Sequence, residues 1–414
     1  MSEKYINRRK NFTEAISDDS FAVIGSGTAP MRSLDEAYQF SVDRNFYYLT
    51  GIDSQNMILL MSKIGGRDNA VLFIERFDET LAKWVGGRML PDEAKNISGV
   101  KCVKYIDEFD NTICDLFSRN RHTQLKAYAD LWRNDANQGM SFGHLFSNEL
   151  REKYPQADIE DVYKIMSELR IIKDEDEVAD LKKAIKYTGK AVEAMMTYVK
   201  PGMNECELEG KFDFELAKAG IREHAFKTIV AGGKRATTLH YSDNCEELKD
   251  GELVLTDLGC TYNHYSADIT RTYPVNGRFS PRQKEIYDIV LKAQGVVFEN
   301  AKPGVSVKEL NDMVMAFYET ALKDAGLLYD GKKVSDYYYH NISHQLGLDT
   351  HDVSLGNTKP LKPGMVITVE PGLYIEEESI GIRIEDDILI TEDKPIVLSD
   401  GIPKTTEEIE TLMK

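Results

Sequence analysis

Four acidic residues fall at or just beyond the ends of short apolar runs in the second half of this 414-residue chain. Asp257 closes Leu253-Val-Leu-Thr-Asp257, and Asp268 follows in Ser266-Ala-Asp268-Ile-Thr-Arg-Thr. Glu370 ends Met365-Val-Ile-Thr-Val-Glu370, and Glu385 lies in Gly381-Ile-Arg-Ile-Glu385. Any one of them alone reads as a solvated or salt-bridged strand-end residue. Brought together they would carry more negative charge than a core can hold without cations. One imidazole would complete a metal site, and candidates stand at His340 and His344, with His240 and His351 nearby in sequence. Carboxylates with one histidine suit hard divalent ions, Mn²⁺ or Mg²⁺ rather than a thiolate-type zinc site. Bridging carboxylates suit two ions about 3.5–4 Å apart.

The reason to bring these acids together is an internal repeat. Lys200-Pro-Gly-Met-Asn-Glu-Cys-Glu-Leu208 recurs as Lys302-Pro-Gly-Val-Ser-Val-Lys-Glu-Leu310, and each copy opens a predicted helix running to an Ala-Gly end at Gly220 and Gly326. In the second copy Ser306 and Glu309 form a capping box, and Leu310, Met313, Val314 and Phe317 supply the apolar stripe. Further on, Leu248-Lys-Asp-Gly-Glu-Leu-Val-Leu-Thr-Asp-Leu-Gly259 aligns with Leu361-Lys-Pro-Gly-Met-Val-Ile-Thr-Val-Glu-Pro-Gly372, which sets Asp257 opposite Glu370. Behind each comes a second predicted strand with its own acid, Ser266 to Tyr273 and Gly381 to Ile388. Side chains alternate along a strand, so Arg383 and Glu385 share one face.

The first third of the chain reads differently. Phe21-Ala-Val-Ile24, Met57 to Met61 and Ala70-Val-Leu-Phe-Ile74 are short apolar runs separated by polar connections and helical stretches, as in an α/β domain. From Asp158 to Ala191 the sequence turns charged and 3.6-periodic, with Ile165, Leu169, Ile172, Val178 and Leu181 on one stripe of a long amphipathic helical stretch. The domain boundary is placed there, giving domains 1–165 and 166–414.

Composition narrows the function. Hydrophobic residues make up 42% and charged residues 29%, the balance of a folded globular protein. Acidic residues number 69 against 51 basic, and the net charge of −18 would repel a phosphate backbone, so nucleic acid is not an expected partner. The five cysteines (Cys102, Cys114, Cys206, Cys245, Cys260) include no CxxC pair and suggest neither a disulfide framework nor a zinc ribbon, which fits a reducing cytoplasm. The first residues carry charges but no apolar stretch after them, so no secretory signal is expected, and no span is apolar enough for a membrane helix.

Taken together, Asp257-Leu-Gly-Cys-Thr-Tyr-Asn-His-Tyr-Ser-Ala-Asp268-Ile-Thr-Arg-Thr, Ser343-His344-Gln-Leu-Gly-Leu-Asp-Thr-His351-Asp, Val369-Glu370-Pro-Gly and Gly381-Ile-Arg-Ile-Glu385-Asp-Asp resemble the successive motifs of the pita-bread metallopeptidases. Within that superfamily they are most similar to the Xaa-Pro aminopeptidases, the aminopeptidase P group. Asp43-Arg-Asn-Phe-Tyr-Tyr-Leu-Thr-Gly51 resembles that group's N-terminal domain, so the resemblance spans nearly the whole chain.

The resemblance implies an α/β (α+β) chain, a creatinase-like N-terminal α/β domain followed by a pita-bread domain of two pseudo-twofold related halves. It implies two divalent ions, Mn²⁺ favoured, with Asp257 binding one through both oxygens, Asp268 and Glu385 bridging, and His344 and Glu370 completing the second. A bridging hydroxide would be the nucleophile, and Glu370 would pass its proton to the leaving prolyl nitrogen. His240 and His351 would steady the tetrahedral intermediate and hold the peptide, His340 would line the pocket, and Arg383 would orient carboxylates. The substrate would be a peptide with proline in second position, whose Xaa-Pro bond lacks the amide N–H that most peptidases use. Trp84 resembles a tryptophan that in relatives reaches a neighbouring subunit's active site, which implies a homodimer or homotetramer. A proline dipeptidase with the same five ligands is the nearest rival; a non-catalytic pita-bread module and the metal-free creatinase are disfavoured because all five ligand types are present.

Overall fold

The run Phe21-Ala-Val-Ile24 forms the centre of β1 (Ser20–Gly25) in the computed structural model, which describes residues 2–414. The other runs form β2 (Ile58–Ile64) and β3 (Arg67–Ile74), and β4 (Cys102–Tyr105), β5 (Lys126–Ala129) and β6 (Asp158–Asp161) complete a mixed sheet of order β4-β3-β2-β1-β5-β6. The pairs β1:β2 and β2:β3 are antiparallel, the outer pairs parallel. Phe21, Val23, Leu60, Val71 and Phe73 point to one face and pack on Phe109, Ile113, Phe117 and Phe146 of the covering helices. The alternation within each strand buries that stripe while the opposite stripe covers the other face.

This sheet and its helices make one compact unit, Met1–Arg170; the second is Ile171–Lys414. The periodic stretch from Asp158 to Ala191 is not one helical run. Asp158–Asp161 is the edge strand β6, and two helices follow, Tyr163–Arg170 and Glu175–Tyr198. They part because Asp174 caps the second: its side chain accepts from the Glu177 N–H while Glu177 accepts from the Asp174 N–H. The first helix stays with its own unit through Arg170, whose Nη1 donates to Asn45 Oδ1 at 2.9 Å, and through Tyr48, whose hydroxyl donates to the Leu169 carbonyl.

The second unit carries the duplicated frame. The repeated segments open the helices Glu205–Lys218 and Val307–Asp324, and both have capping boxes, Asn204 with Glu207 and Ser306 with Glu309. In the first half β7 (Ile229–Gly232) and β11 (Ile269–Pro274) flank β8 (Leu253–Leu258) in antiparallel pairing, with the hairpin β9 (Thr261–Tyr262) and β10 (Tyr265–Ser266) between. In the second half β12 (Val366–Val369) pairs with β15 (Asp386–Leu389), β13 (Gly372–Ile375) with β14 (Ile380–Arg383), and β16 (Ile396–Val397) with β15. The expected continuous strand from Gly381 to Ile388 is therefore two strands. It changes partner at Ile384 and Glu385, where the Glu385 N–H donates across to the Thr270 carbonyl at 3.0 Å.

Leu253, Leu258, Ile269, Ile367, Val369, Ile382 and Ile388 join Leu208, Phe212, Leu310 and Val314 in one continuous core. Among the described residues no helix is long and apolar enough to cross a membrane.

Candidate metal centre

The first pair of acids is set by β8 and β11. Asp257 lies opposite Thr270 in the register, and Asp268 immediately precedes β11. Between them the chain turns back on itself so closely that a Cβ at Gly259 would fall 1.8 Å from the Ala267 carbonyl oxygen. The hairpin turn, Asn263 at φ 48° and His264 at φ 64°, has both central residues left-handed, which makes His264 a turn residue. In the second half Glu370 follows β12 directly, and Glu385 sits where β14 gives way to β15.

The ligand atoms of Asp268, His344 and Glu385 lie within 4.8 Å of one another. Glu370 adjoins them, its Oε1 3.6 Å from His344 Nε2 and its Oε2 3.6 Å from His340 Nδ1. Asp257 is gripped by Arg383, whose Nη2 donates to Oδ2 at 2.6 Å, while Oδ1 is buried and, among the described residues, without a hydrogen-bond partner. The His351 ring centres 4.2 Å from that of His344; burial, then the charge of Arg383 and more weakly that of His240, lowers the pKa of His340 to about 4, and burial, then the charge of His240, lowers that of His351. The sequence-predicted residues of the second unit thus converge. Trp84 belongs to the first unit, on the helix Glu79–Val85, where it is 83% exposed.

The protonation pattern is that of a cation site. His344 Nδ1 lies 3.0 Å from the Gln345 carbonyl oxygen, which can only accept, so Nδ1 bears the proton. The lone pair of Nε2 then faces Asp268 Oδ2 at 3.4 Å. Burial, with the charge of His351 behind it, lowers the pKa of His344 to about 4 and keeps the ring neutral. Burial, then the charges of Glu385 and Asp257, holds Asp268 well above the usual carboxylate range; burial, then Glu370 and Asp257, does the same to Glu385. Glu370 is pushed up to about 8 by burial, with Arg383 opposing. A neutral nitrogen lone pair turned toward crowded carboxylates is repulsive until a cation lies between them. Four carboxylates, one neutral imidazole and an unpartnered Oδ1 therefore fit hard divalent ions.

Several supporting residues escape a sequence reading. Thr270 accepts from Arg383 Nε at 3.1 Å and donates to Glu385 Oε2 at 2.7 Å. Thr368 accepts from the His344 N–H and donates to Glu370 Oε1. Both sit two residues from an acid on the same side of the chain, a signal that strand alternation offers in advance. Tyr374 accepts from Arg383 Nη1 at 2.9 Å and donates to His340 Nε2 at 2.9 Å, the His340 Nδ1 proton being committed to the Asn341 carbonyl. Asp387, fully buried, accepts from the Asp268 N–H at 3.2 Å. Nothing in the local sequence marks either.

The remaining histidines sit elsewhere: His122 accepts from Arg121, His144 from Arg133, and His224 pairs with Asp213.

Residues 179–392 match the profile of metallopeptidase family M24, and residues 5–125 match the aminopeptidase P N-terminal domain. The chain is 35% identical to an Xaa-Pro aminopeptidase of Escherichia coli (strain K12), covering 99% of this chain and 97% of the relative. Among solved structures it is similar to a Bacillus anthracis protein described as a putative aminopeptidase P, with a TM-score of 0.96 at 43% identity over 100% of this chain and 98% of that one. It is also similar to aminopeptidase P of E. coli with the inhibitor Pro-Leu, with a TM-score of 0.91 at 34% identity over 100% and 98% of the two chains. The five ligand-type residues and their strand frame lie inside the matched region, and the chain belongs to metallopeptidase family M24, with an aminopeptidase P N-terminal domain ahead of its pita-bread unit.

Proposed function

We propose that this chain is a metal-dependent Xaa-Pro aminopeptidase, releasing the first residue from peptides with proline in second position. The observation that carries the reading is the neutral His344, its free Nε2 turned toward Asp268 and Glu370. The substrate class is supported by the Xaa-Pro aminopeptidase of E. coli and by the Pro-Leu inhibitor held by that organism's aminopeptidase P.

Asp257, Asp268, His344, Glu370 and Glu385 would hold two divalent ions, for which the oxygen-rich donor set favours Mn²⁺, with Asp268 and Glu385 shared between them. When bound, such ions lower the pKa of water toward neutrality and polarise the scissile carbonyl. The protein's own work is proton transfer and orientation. Glu370 accepts a proton from the attacking water and returns it to the departing prolyl nitrogen, a task suited to a carboxylate held at one oxygen by Thr368. His240 and His351 hold the peptide and steady the oxyanion, and His340, kept by Tyr374 and Asn341 as the Nδ1–H tautomer, lines the pocket beside Glu370. Arg383 neutralises one oxygen of Asp257 and fixes Thr270 against Glu385.

We further propose a homodimer or homotetramer in which Trp84 reaches a neighbouring subunit's site. Its exposure supports this, as does that of Leu81 one turn away on the same helix, since exposed large apolar side chains that cluster mark interaction surfaces. A cytoplasmic location rests on the five free thiols.

The deciding experiment incubates Mn²⁺-loaded protein with an Xaa-Pro-Yaa tripeptide, an Xaa-Pro dipeptide and a proline-free control. Cleavage of the tripeptide between its first residue and proline is expected; cleavage of the dipeptide alone would assign it instead as a proline dipeptidase.

A further inference from the structure

His240 lies in an irregular turn, flanked by the short 3-10 turn Gly233–Thr237 and a stretch with no regular structure from Tyr241 onward. A loop of this kind has no ladder to hold it, yet His240 has to meet His340 and His351. Side chains hold the segment instead: Asn244 accepts from the Val230 N–H and donates to the Thr228 carbonyl, Tyr339 donates to the Thr237 carbonyl, and Glu205, the first residue of the helix Glu205–Lys218, gathers groups from both sides of His240.

Glu205 is 0% exposed and accepts four hydrogen bonds. Its Oε1 takes the Gly232 N–H at 2.8 Å and Arg235 Nε at 2.7 Å. Its Oε2 takes the Tyr241 hydroxyl at 2.8 Å and the Glu246 N–H at 3.0 Å. The donors lie on both sides of His240, and Tyr241 is its immediate neighbour. Arg235 also donates to the Glu247 carbonyl, and Asn204 Nδ2 to the Cys245 carbonyl, so the helix N-terminus clamps the far end of the same loop.

The duplication shows that the fold itself does not need a carboxylate here. In the repeat, Lys200-Pro-Gly-Met-Asn-Glu205 aligns with Lys302-Pro-Gly-Val-Ser-Val307, so Glu205 corresponds to Val307, also buried at a helix start behind a capping residue. One half fills the position with an apolar side chain. The other buries a charge, which is costly unless fully hydrogen-bonded. The half that does so is the one whose loop carries His240.

We propose that Glu205 is a positioning residue for His240, acting through Arg235 and Tyr241 to hold the loop in its substrate-facing form. The proposal rests on the aminopeptidase reading, but its test can be read without it. Glu205→Gln keeps the volume but replaces one acceptor oxygen with a donor; Tyr241→Phe removes one bond and serves if the Gln variant fails to fold. Each is made alone and in the His240→Ala background, and kcat, KM, metal content and thermal unfolding are measured with an Xaa-Pro-Yaa tripeptide.

Loss of alignment by about 1 Å costs about 10²-fold in such sites, so kcat/KM is expected to fall at least ~10-fold in Glu205→Gln with metal content unchanged. In the His240→Ala background the same change should cost less than ~2-fold, since residues acting as one unit are not additive. An equal loss in both backgrounds, a loss of metal, or no loss in the single variants would overturn the proposal. Histidine-labelled NMR of the protein loaded with diamagnetic Mg²⁺ supplies the readout independent of turnover: the His240 ring signal, assigned by its absence in His240→Ala, should shift or broaden in Glu205→Gln while that of His344 stays in place. Wild-type protein inactive on every peptide would count against the aminopeptidase reading, whereas an undisturbed His240 signal would count against this one.

Discussion

Arg383 and Asp257, 126 residues apart in sequence, meet through a single 2.6 Å hydrogen bond that leaves the other oxygen of Asp257 buried and, among the described residues, without a partner. The arginine satisfies half of the carboxylate and aims the other half. The same guanidinium reaches Thr270 and Tyr374, so one side chain ties an acid of the first half to groups of both halves.

Replacing Arg383 should therefore weaken metal binding without removing a ligand. Loss of such an outer partner typically costs about 10–100-fold in affinity or activity. Arg383→Met is expected to lie in that range in a metal titration, and Arg383→Lys to recover little, because one ammonium cannot reproduce bonds to three partners. Wild-type affinity in Arg383→Met would show that Asp257 needs no orienting group.

Asp268 and Glu385, within the tightest group of ligand atoms, are the residues proposed to serve both ions. Asp268→Ala or Glu385→Ala should lower metal stoichiometry as well as rate, measurable by elemental analysis after dialysis. Two ions still bound per chain in either variant would refute the shared role.

Glu370 is proposed to combine ligation with proton transfer, and Glu370→Gln separates them. The amide keeps a ligand oxygen and the volume but cannot act as a base. A loss of about 10²–10⁴-fold in kcat is expected, with thermal unfolding preserved. Near-normal turnover with both metals present would move the shuttle to another group.

The metal-free protein should lose stability as pH rises. Asp268, Glu370 and Glu385 have folded-state pKa values raised above those of the unfolded chain, Glu370 to about 8. Their protonated forms favour the folded state fully below the ordinary carboxylate range near pH 4. That contribution is lost as pH climbs through their folded values, which for Glu370 is about 8. Divalent ions replace the protons, so the gap in Tm between Mn²⁺-loaded and chelated protein should widen between pH 5.5 and pH 8. A gap that stays constant would mean the crowded carboxylates are neutralised by something other than protons or metal.

The local sequence by itself determined the elements and the kinds of chemistry. Apolar runs marked β1 to β3, Ser306 with Glu309 announced the start of a helix, and the repeat set Asp257 opposite Glu370 before any contact was known. These are short-range features, a few residues of periodicity or a cap three positions from its partner, and they survive translation into structure because backbone geometry alone enforces them. Tertiary structure decided the rest. The chain from Gly381 to Ile388 reads as one strand, but Glu385 is held at a change of partner by Thr270 and Arg271, more than a hundred residues away. Which nitrogen of His344 is free depends on a carbonyl beside it that only the folded turn brings within reach. Glu205 looks like an ordinary acid at a helix start until Gly232, Arg235, Tyr241 and Glu246 close on it. For Glu385 and His344 the protonation state is set by burial and then by charges that include Asp257, distant in sequence, and these act only once the two halves of the unit have packed together.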